Sequence, residues 1–160
     1  MKIKLIEDEE DLETIFNNLV NDKNWKIEWE GLAIVWNFSI DFPAMILQFK
    51  EFIPTIKDRL LNNTSTEIRL WAIKILKNLL FPGHIEDIFK RAEKLIFESF
   101  QVKELYDFLD DEDNKIREQA VLIFKYLWQT SQKRGESDDE FISIIDSIGS
   151  EEMKDRISKL

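Results

Sequence analysis

The chain has 160 residues, the size of one ordinary domain, and 44% of them are hydrophobic, which is enough for a sizeable core. It has no cysteine, which excludes disulfides and thiolate metal sites. The start of the sequence does not have the apolar core of a signal peptide, and the longest apolar runs are too short to span a bilayer. We therefore expect a cytoplasmic protein without membrane contact. The formal net charge of −10 disfavours nucleic-acid binding and favours a partner with a basic surface.

Three segments of the chain share one pattern: the end of a helix, a short polar turn and a longer amphipathic helix. The segments are 19–38, 60–79 and 108–127. Ile27, Ile68 and Ile116 hold the same position in the three copies, at offsets of 41 (68 − 27) and 48 (116 − 68) residues. Periods of about 40–47 residues are typical of two-helix and three-helix repeats. The chain is therefore predicted to repeat one helical hairpin.

Each copy also carries the residues that such a helix needs at its start. A residue suited to cap the helix lies three positions before each isoleucine, and a small residue lies four positions after it. The caps are Asn24, Ser65 and Asp113, and the small residues are Gly31, Ala72 and Ala120. Apolar residues continue at i+5, i+8 and i+11, which makes a wide stripe on one helix face. The preceding helix and the neighbouring copies must cover this stripe.

The helix starts resemble the HEAT/armadillo superfamily. The third copy reads Asp-Asn-Lys-Ile-Arg over 113–117, followed by Ala120, which is similar to the superfamily's signature apart from its proline. The second copy is similar through Ile68, Arg69 and Ala72, whereas the first has Glu28 in place of arginine. The resemblance covers about residues 9–131. It implies that Arg69 and Arg117 pair with acidic turn residues of an adjacent repeat.

The resulting expectation is an all-α domain over residues 1–160. It would be a short right-handed α-solenoid of three HEAT/armadillo-like hairpins with an extra inter-repeat helix and C-terminal capping helices. The hairpins are predicted near 9–38, 53–80 and 101–131, the extra helix at 85–97 and the cap at 137–160. A further helix is expected from Pro43 to about Phe52, with Asp41 as a possible cap.

Tryptophans are the unusual feature of the first copy. Trp25, Trp29 and Trp36 have the spacing i, i+4 and i+11, so they share a helix face away from the apolar stripe. The other copies have mostly polar residues there, and Trp71 lies at a further position predicted to be partly exposed. Either another segment of the chain covers this face, or it contacts a partner protein or a second copy. We take these four tryptophans as the candidate partner interface.

No catalytic, cofactor-binding or metal-binding set stands out. His84 is the only histidine, and the acidic stretch 110–114 lacks the glycine and the distal acid of a calcium loop, so it is predicted to be a turn capped by Asp113. The leading hypothesis is a non-catalytic protein–protein interaction or scaffold module with an acidic, tryptophan-containing surface. The alternatives are a HEAT-like enzyme or cofactor-handling protein with an unrecognised site, and a self-assembling subunit such as a homodimer.

Overall fold

A computed structural model describes residues 9–49 and 51–133. Within these ranges the chain forms helices and no β-strand, so the all-α prediction is confirmed. The helices are α1 (Glu9–Val20), α2 (Trp25–Asp41), α3 (Pro43–Ile46), α4 (Phe52–Asn62), α5 (Thr66–Leu79), α6 (Glu86–Ser99), α7 (Val102–Asp107), a 3-10 helix (Phe108–Asp110) and α8 (Asn114–Lys133). The predicted capping helices at 137–160 lie outside the described residues.

Three helices begin at the predicted capping residues. Asn24 Oδ1 accepts a hydrogen bond from the Lys26 amide at 3.1 Å, and Ser65 Oγ accepts one from the Ile68 amide at 3.5 Å. Asp113 Oδ1 accepts from two amides of the first turn of α8, at 2.8 and 3.2 Å. These bonds satisfy amides that have no partner within the helix, and they confirm the predicted starts of α2, α5 and α8.

The helix predicted from Pro43 to about Phe52 is wrong in length. α3 covers only Pro43–Ile46, and α2 runs to Asp41, which is therefore its last residue rather than the cap of α3. From Gln48 on, the amides of this segment bond three residues back, as from Phe49 to the Ile46 carbonyl at 3.1 Å. This turn buries the Phe49 side chain in the core before α4 begins. The apolar spacing of this segment therefore reflects a buried turn, not a continuous helix.

Packing joins helices that are neighbours in the chain and helices that are not. α1 packs against α2, and α4 packs against α5. α5 also contacts both α2 and α8, while α6 contacts α4 and α5. The 3-10 helix joins α7 to α8 and packs against both. α5 is therefore the central element, since it touches helices from before and after it in the chain.

The core is one cluster that runs from α1 to α8. It contains the apolar residues of the second and third copies at the predicted positions, together with side chains from α4 and α6, except that Val121 of the third copy is only half-buried against it. The largest fully buried side chains are Leu32, Ile46, Ile56, Leu60, Ile68, Ile73, Ile75, Leu76, Leu79, Leu80, Phe89 and Ile96. Helix packing of this kind removes apolar area from water and supplies the main favourable contribution to folding.

The first copy departs from the predicted stripe at its start. Ile68 and Ile116 are fully buried, whereas the equivalent Ile27 is 38% exposed. The next residue, Glu28, is 7% exposed and faces Arg59 of α4 at 2.6 Å. The expectation that Ile27 would be buried is therefore wrong, because the first turn of α2 directs an ion pair, rather than its isoleucine, towards α4.

Candidate functional site

The candidate interface is an aromatic cluster that joins two helices. Trp71 of α5 lies between two tryptophans of α2, with ring centroids 5.7 Å from Trp29 and 5.3 Å from Trp36. The Trp29–Trp71 rings are nearly perpendicular at 78°, an edge-to-face arrangement that aromatic pairs favour. Trp71 therefore contacts two of the three tryptophans of α2, and Trp25 lies outside this cluster. The sequence analysis placed Trp71 in the same candidate set without predicting these contacts.

The four tryptophans differ in exposure. Trp25 is 60% exposed and Trp29 is 37% exposed. Trp36 and Trp71 are half-buried and pack against the core. Trp25 and Trp29 therefore offer most of the accessible aromatic surface, whereas Trp36 and Trp71 also contribute to the packing of α2 against α5.

A polar contact continues the α2–α5 interface behind the tryptophans. Asn78 Nδ2 donates to Ser39 Oγ at 3.2 Å, and that hydroxyl donates to the Trp36 carbonyl at 2.6 Å. Both side chains are buried. Because a buried hydrogen-bonded pair is costly to break, this contact holds α2 and α5 in register and so fixes the positions of the indole rings.

Lysines flank the aromatic cluster, which the sequence analysis did not anticipate. Lys74 Nζ lies 4.7 Å from the centroid of the Trp71 ring, within the range of a cation–π interaction. Lys26 Nζ lies 5.7 Å from the Trp25 ring. Burial and the neighbouring Lys74 ammonium lower the pKa of Lys77 below its ordinary value. Lysine ammonium groups thus lie against Trp25 and Trp71, although the chain is strongly acidic.

The repeat-signature residues lie mostly inside the fold. Ala72, Ala120 and Gly31 are buried where α2, α5 and α8 approach their neighbours. Arg69 donates to the Leu60 carbonyl at 3.1 Å and pairs with the Asp111 carboxylate. These residues therefore build the packing and do not belong to an exposed site.

The contacts of Arg117 differ from those of Arg69. Its Nη1 donates to the Asp111 carbonyl at 2.6 Å and to the Glu112 carbonyl at 3.0 Å, so it closes its own turn. A groove of about 740 Å³ opens beside it, with Asp110 and Glu118 also on its wall. Because two of its contacts are carbonyls of the turn, Arg117 is positioned to stabilise the start of α8.

His84 and the acidic turn 110–114, which the sequence analysis considered as metal sites, form hydrogen bonds within the fold. His84 Nε2 donates to the Asn78 carbonyl at 2.7 Å, and its ring lies edge-on to Phe81 at 5.7 Å. The acidic turn 110–114 caps α8 through Asp113, as predicted. Among the described residues, no three acidic or histidine side chains converge as a metal site would require.

Comparison of the chain with protein-family models and with curated proteins found no match. Over the described part of the chain, no helix is both long enough and apolar enough to cross a bilayer. The aromatic cluster with its lysines is therefore the most distinctive feature on which a function can be argued.

Proposed function

We propose that the chain is a short right-handed α-solenoid of HEAT/armadillo-like hairpins that acts as a non-catalytic protein-binding module. The observation that carries this proposal is the tryptophan cluster on α2 and α5, with Trp25 and Trp29 substantially exposed. Tryptophan is enriched among residues that dominate binding energy at interfaces. A partner surface that covered these rings would remove large apolar area from water.

The order of helix contacts supports the solenoid part of the proposal. In a solenoid each hairpin contacts mainly its neighbours. Here α5 packs against both α2 and α8, which are the corresponding helices of the preceding and following hairpins. The pairing of Arg69 with Asp111, in the turn of the next hairpin, is the contact that the family resemblance implies for this arginine.

Two substitutions test the binding surface. A photoreactive amino acid at the exposed position 26, next to Trp25, would first capture a partner from the source cell, and the purified partner would then be titrated against Trp25→Ala/Trp29→Ala. We expect Kd to rise by roughly 30-fold, or about 2 kcal/mol, which is typical for loss of a tryptophan anchor. Trp128→Ala is the matched control, because Trp128 is 42% exposed on α8. Unchanged binding by the double variant, or an equal loss in the control, would contradict the proposal.

Light scattering after size-exclusion chromatography tests whether the tryptophans bind a different protein or a second copy of this chain. We expect a mass that stays constant over concentration for both wild type and Trp25→Ala/Trp29→Ala. A wild-type dimer that becomes a folded monomer in the variant would instead make the tryptophans a self-interface, which is the self-assembly alternative. Circular dichroism would verify that the variant keeps its helical content.

A further inference from the structure

Positive charge on α5 lies beside the tryptophan cluster. Lys74 contacts the face of Trp71, and Lys77 follows one turn later on α5. Neither lysine forms an ion pair with any of the described residues. The two ammonium groups are close enough that the charge of Lys74 lowers the pKa of Lys77.

This arrangement has a physical cost in the free protein. Lys77 is partly buried, and its pKa is lowered by that burial and by the Lys74 ammonium. Bringing a carboxylate to the two ammonium groups would offset this repulsion and favour the charged form of Lys77. The free energy gained is larger at a partly desolvated site next to aromatic rings than on an open surface.

We propose that the surface formed by Trp29, Trp71, Lys74 and Lys77, here called the Trp–Lys surface, binds an acidic peptide segment of a partner protein. An apolar side chain of the segment covers the Trp29 and Trp71 rings, and its Asp or Glu carboxylates contact the two lysines. This inference rests on the proposed function and names the chemistry of the partner. The net charge of the whole chain favours a basic partner, but the partner of this surface is set by the local charge.

A single-stranded nucleic acid would also combine negative charge with groups that stack on tryptophan. The charge of the whole molecule argues against it, because a net charge of −10 repels a polyphosphate backbone over distances comparable to the Debye length. An acidic peptide places only a few carboxylates near the two lysines and continues as neutral backbone. The observations therefore favour the peptide.

Selection from a displayed library of short random peptides tests this directly, with the full chain as bait. We expect the selected peptides to be rich in Asp and Glu next to aromatic or aliphatic residues, and to require Trp29.

The affinity of a selected peptide is then measured by fluorescence anisotropy. Lys74→Glu/Lys77→Glu should raise its Kd by about tenfold or more. Arg91→Glu/Lys103→Glu is the matched control, because both residues are exposed and lie on α6 and α7; it should change Kd by less than about twofold. A peptide with lysine in place of its acids should bind Lys74→Glu/Lys77→Glu better than wild type.

The outcomes distinguish the two levels of the proposal. Two results would overturn the acidic-peptide inference and leave the proposed function standing. In the first, the selected peptides require Trp29 but are basic. In the second, they require Trp29 but bind Lys74→Glu/Lys77→Glu as tightly as wild type. No Trp29-dependent peptide would contradict both. Oligothymidylate provides the test for nucleic acid. If it binds wild type and binds Lys74→Glu/Lys77→Glu more weakly, the inference is overturned in favour of nucleic acid.

Discussion

At the scale of single residues, two glutamates have opposite electrostatic surroundings. Burial raises the pKa of the Glu28 carboxyl above its ordinary value of 4.5, and the Arg59 guanidinium only partly offsets this effect. A hydrogen bond from Lys57 lowers the pKa of the Glu104 carboxyl. That lysine also donates to the Ser99 carbonyl at 2.8 Å, so it ties α4 to the end of α6 as well as to α7. Each glutamate should therefore change the stability of the fold with pH in its own direction.

For Glu28 the expected effect is a loss of stability as pH rises. The folded protein keeps this proton to a higher pH than the unfolded chain, so the free energy of unfolding falls from about pH 4.5 up to the folded pKa. Glu28→Gln removes that titration. We expect the variant to gain stability relative to wild type when urea unfolding is measured at about pH 7 instead of about pH 4. A difference that stays constant with pH would contradict the raised pKa.

Glu104→Gln supplies the comparison with the opposite sign. Because the folded pKa of Glu104 is lowered, its contribution is present above the unfolded value of about 4.5 and is lost as pH falls through the folded pKa. The variant should therefore lose stability relative to wild type on going from about pH 4 to about pH 7. Equal pH slopes for Glu28→Gln and Glu104→Gln would mean that neither local environment controls the titration.

At the scale of the element, α8 depends on its cap. Asp113 accepts hydrogen bonds from two amides of the first turn, and its negative charge lies at the positive end of the helix dipole. Asp113→Ala should lower the free energy of unfolding by about 1 kcal/mol. Glu112→Ala is the control, since this exposed neighbour contributes its carbonyl and not its carboxylate to the turn. Equal destabilisation by the two variants in urea unfolding would show that the cap is unimportant.

At the scale of the whole molecule, the Arg69–Asp111 ion pair links α5 to the turn before α8. Its side chains are 16% and 7% exposed, so removal of one partner leaves a largely buried charge. A double-mutant cycle with Arg69→Met and Asp111→Asn should give a coupling energy of about 1–3 kcal/mol. Asparagine keeps the oxygen that accepts from the Asp113 amide, so the turn itself is preserved.

The Glu86–Lys90 pair on α6 is the control for this cycle. Its side chains are 65% and 54% exposed and lie one turn apart on the same helix. Such pairs contribute about 0.2–0.5 kcal/mol. A coupling of that size for Arg69–Asp111 would mean that the ion pair does not hold the two parts of the molecule together.

Much of the all-α architecture could be predicted from the chain alone. Ile68 and Ile116 are buried where the helical period places them, and Asn24, Ser65 and Asp113 cap the helices that follow. These features are local, because a period of 3.6 residues and a capping side chain act within one or two turns. The short α3 was mispredicted, because a buried turn and an amphipathic helix present similar spacings of apolar residues.

The surroundings of each helix face depended on the tertiary structure. The sequence determined that Trp29 and Trp36 share a face and that Lys74 lies about one turn after Trp71, but only the packing of α2 on α5 brought Trp71 between the two tryptophans. For the same reason Ile27 is exposed while its counterparts are buried. Periodicity assigns a side chain to a face of its own helix, whereas burial and local charge depend on which distant helix covers that face.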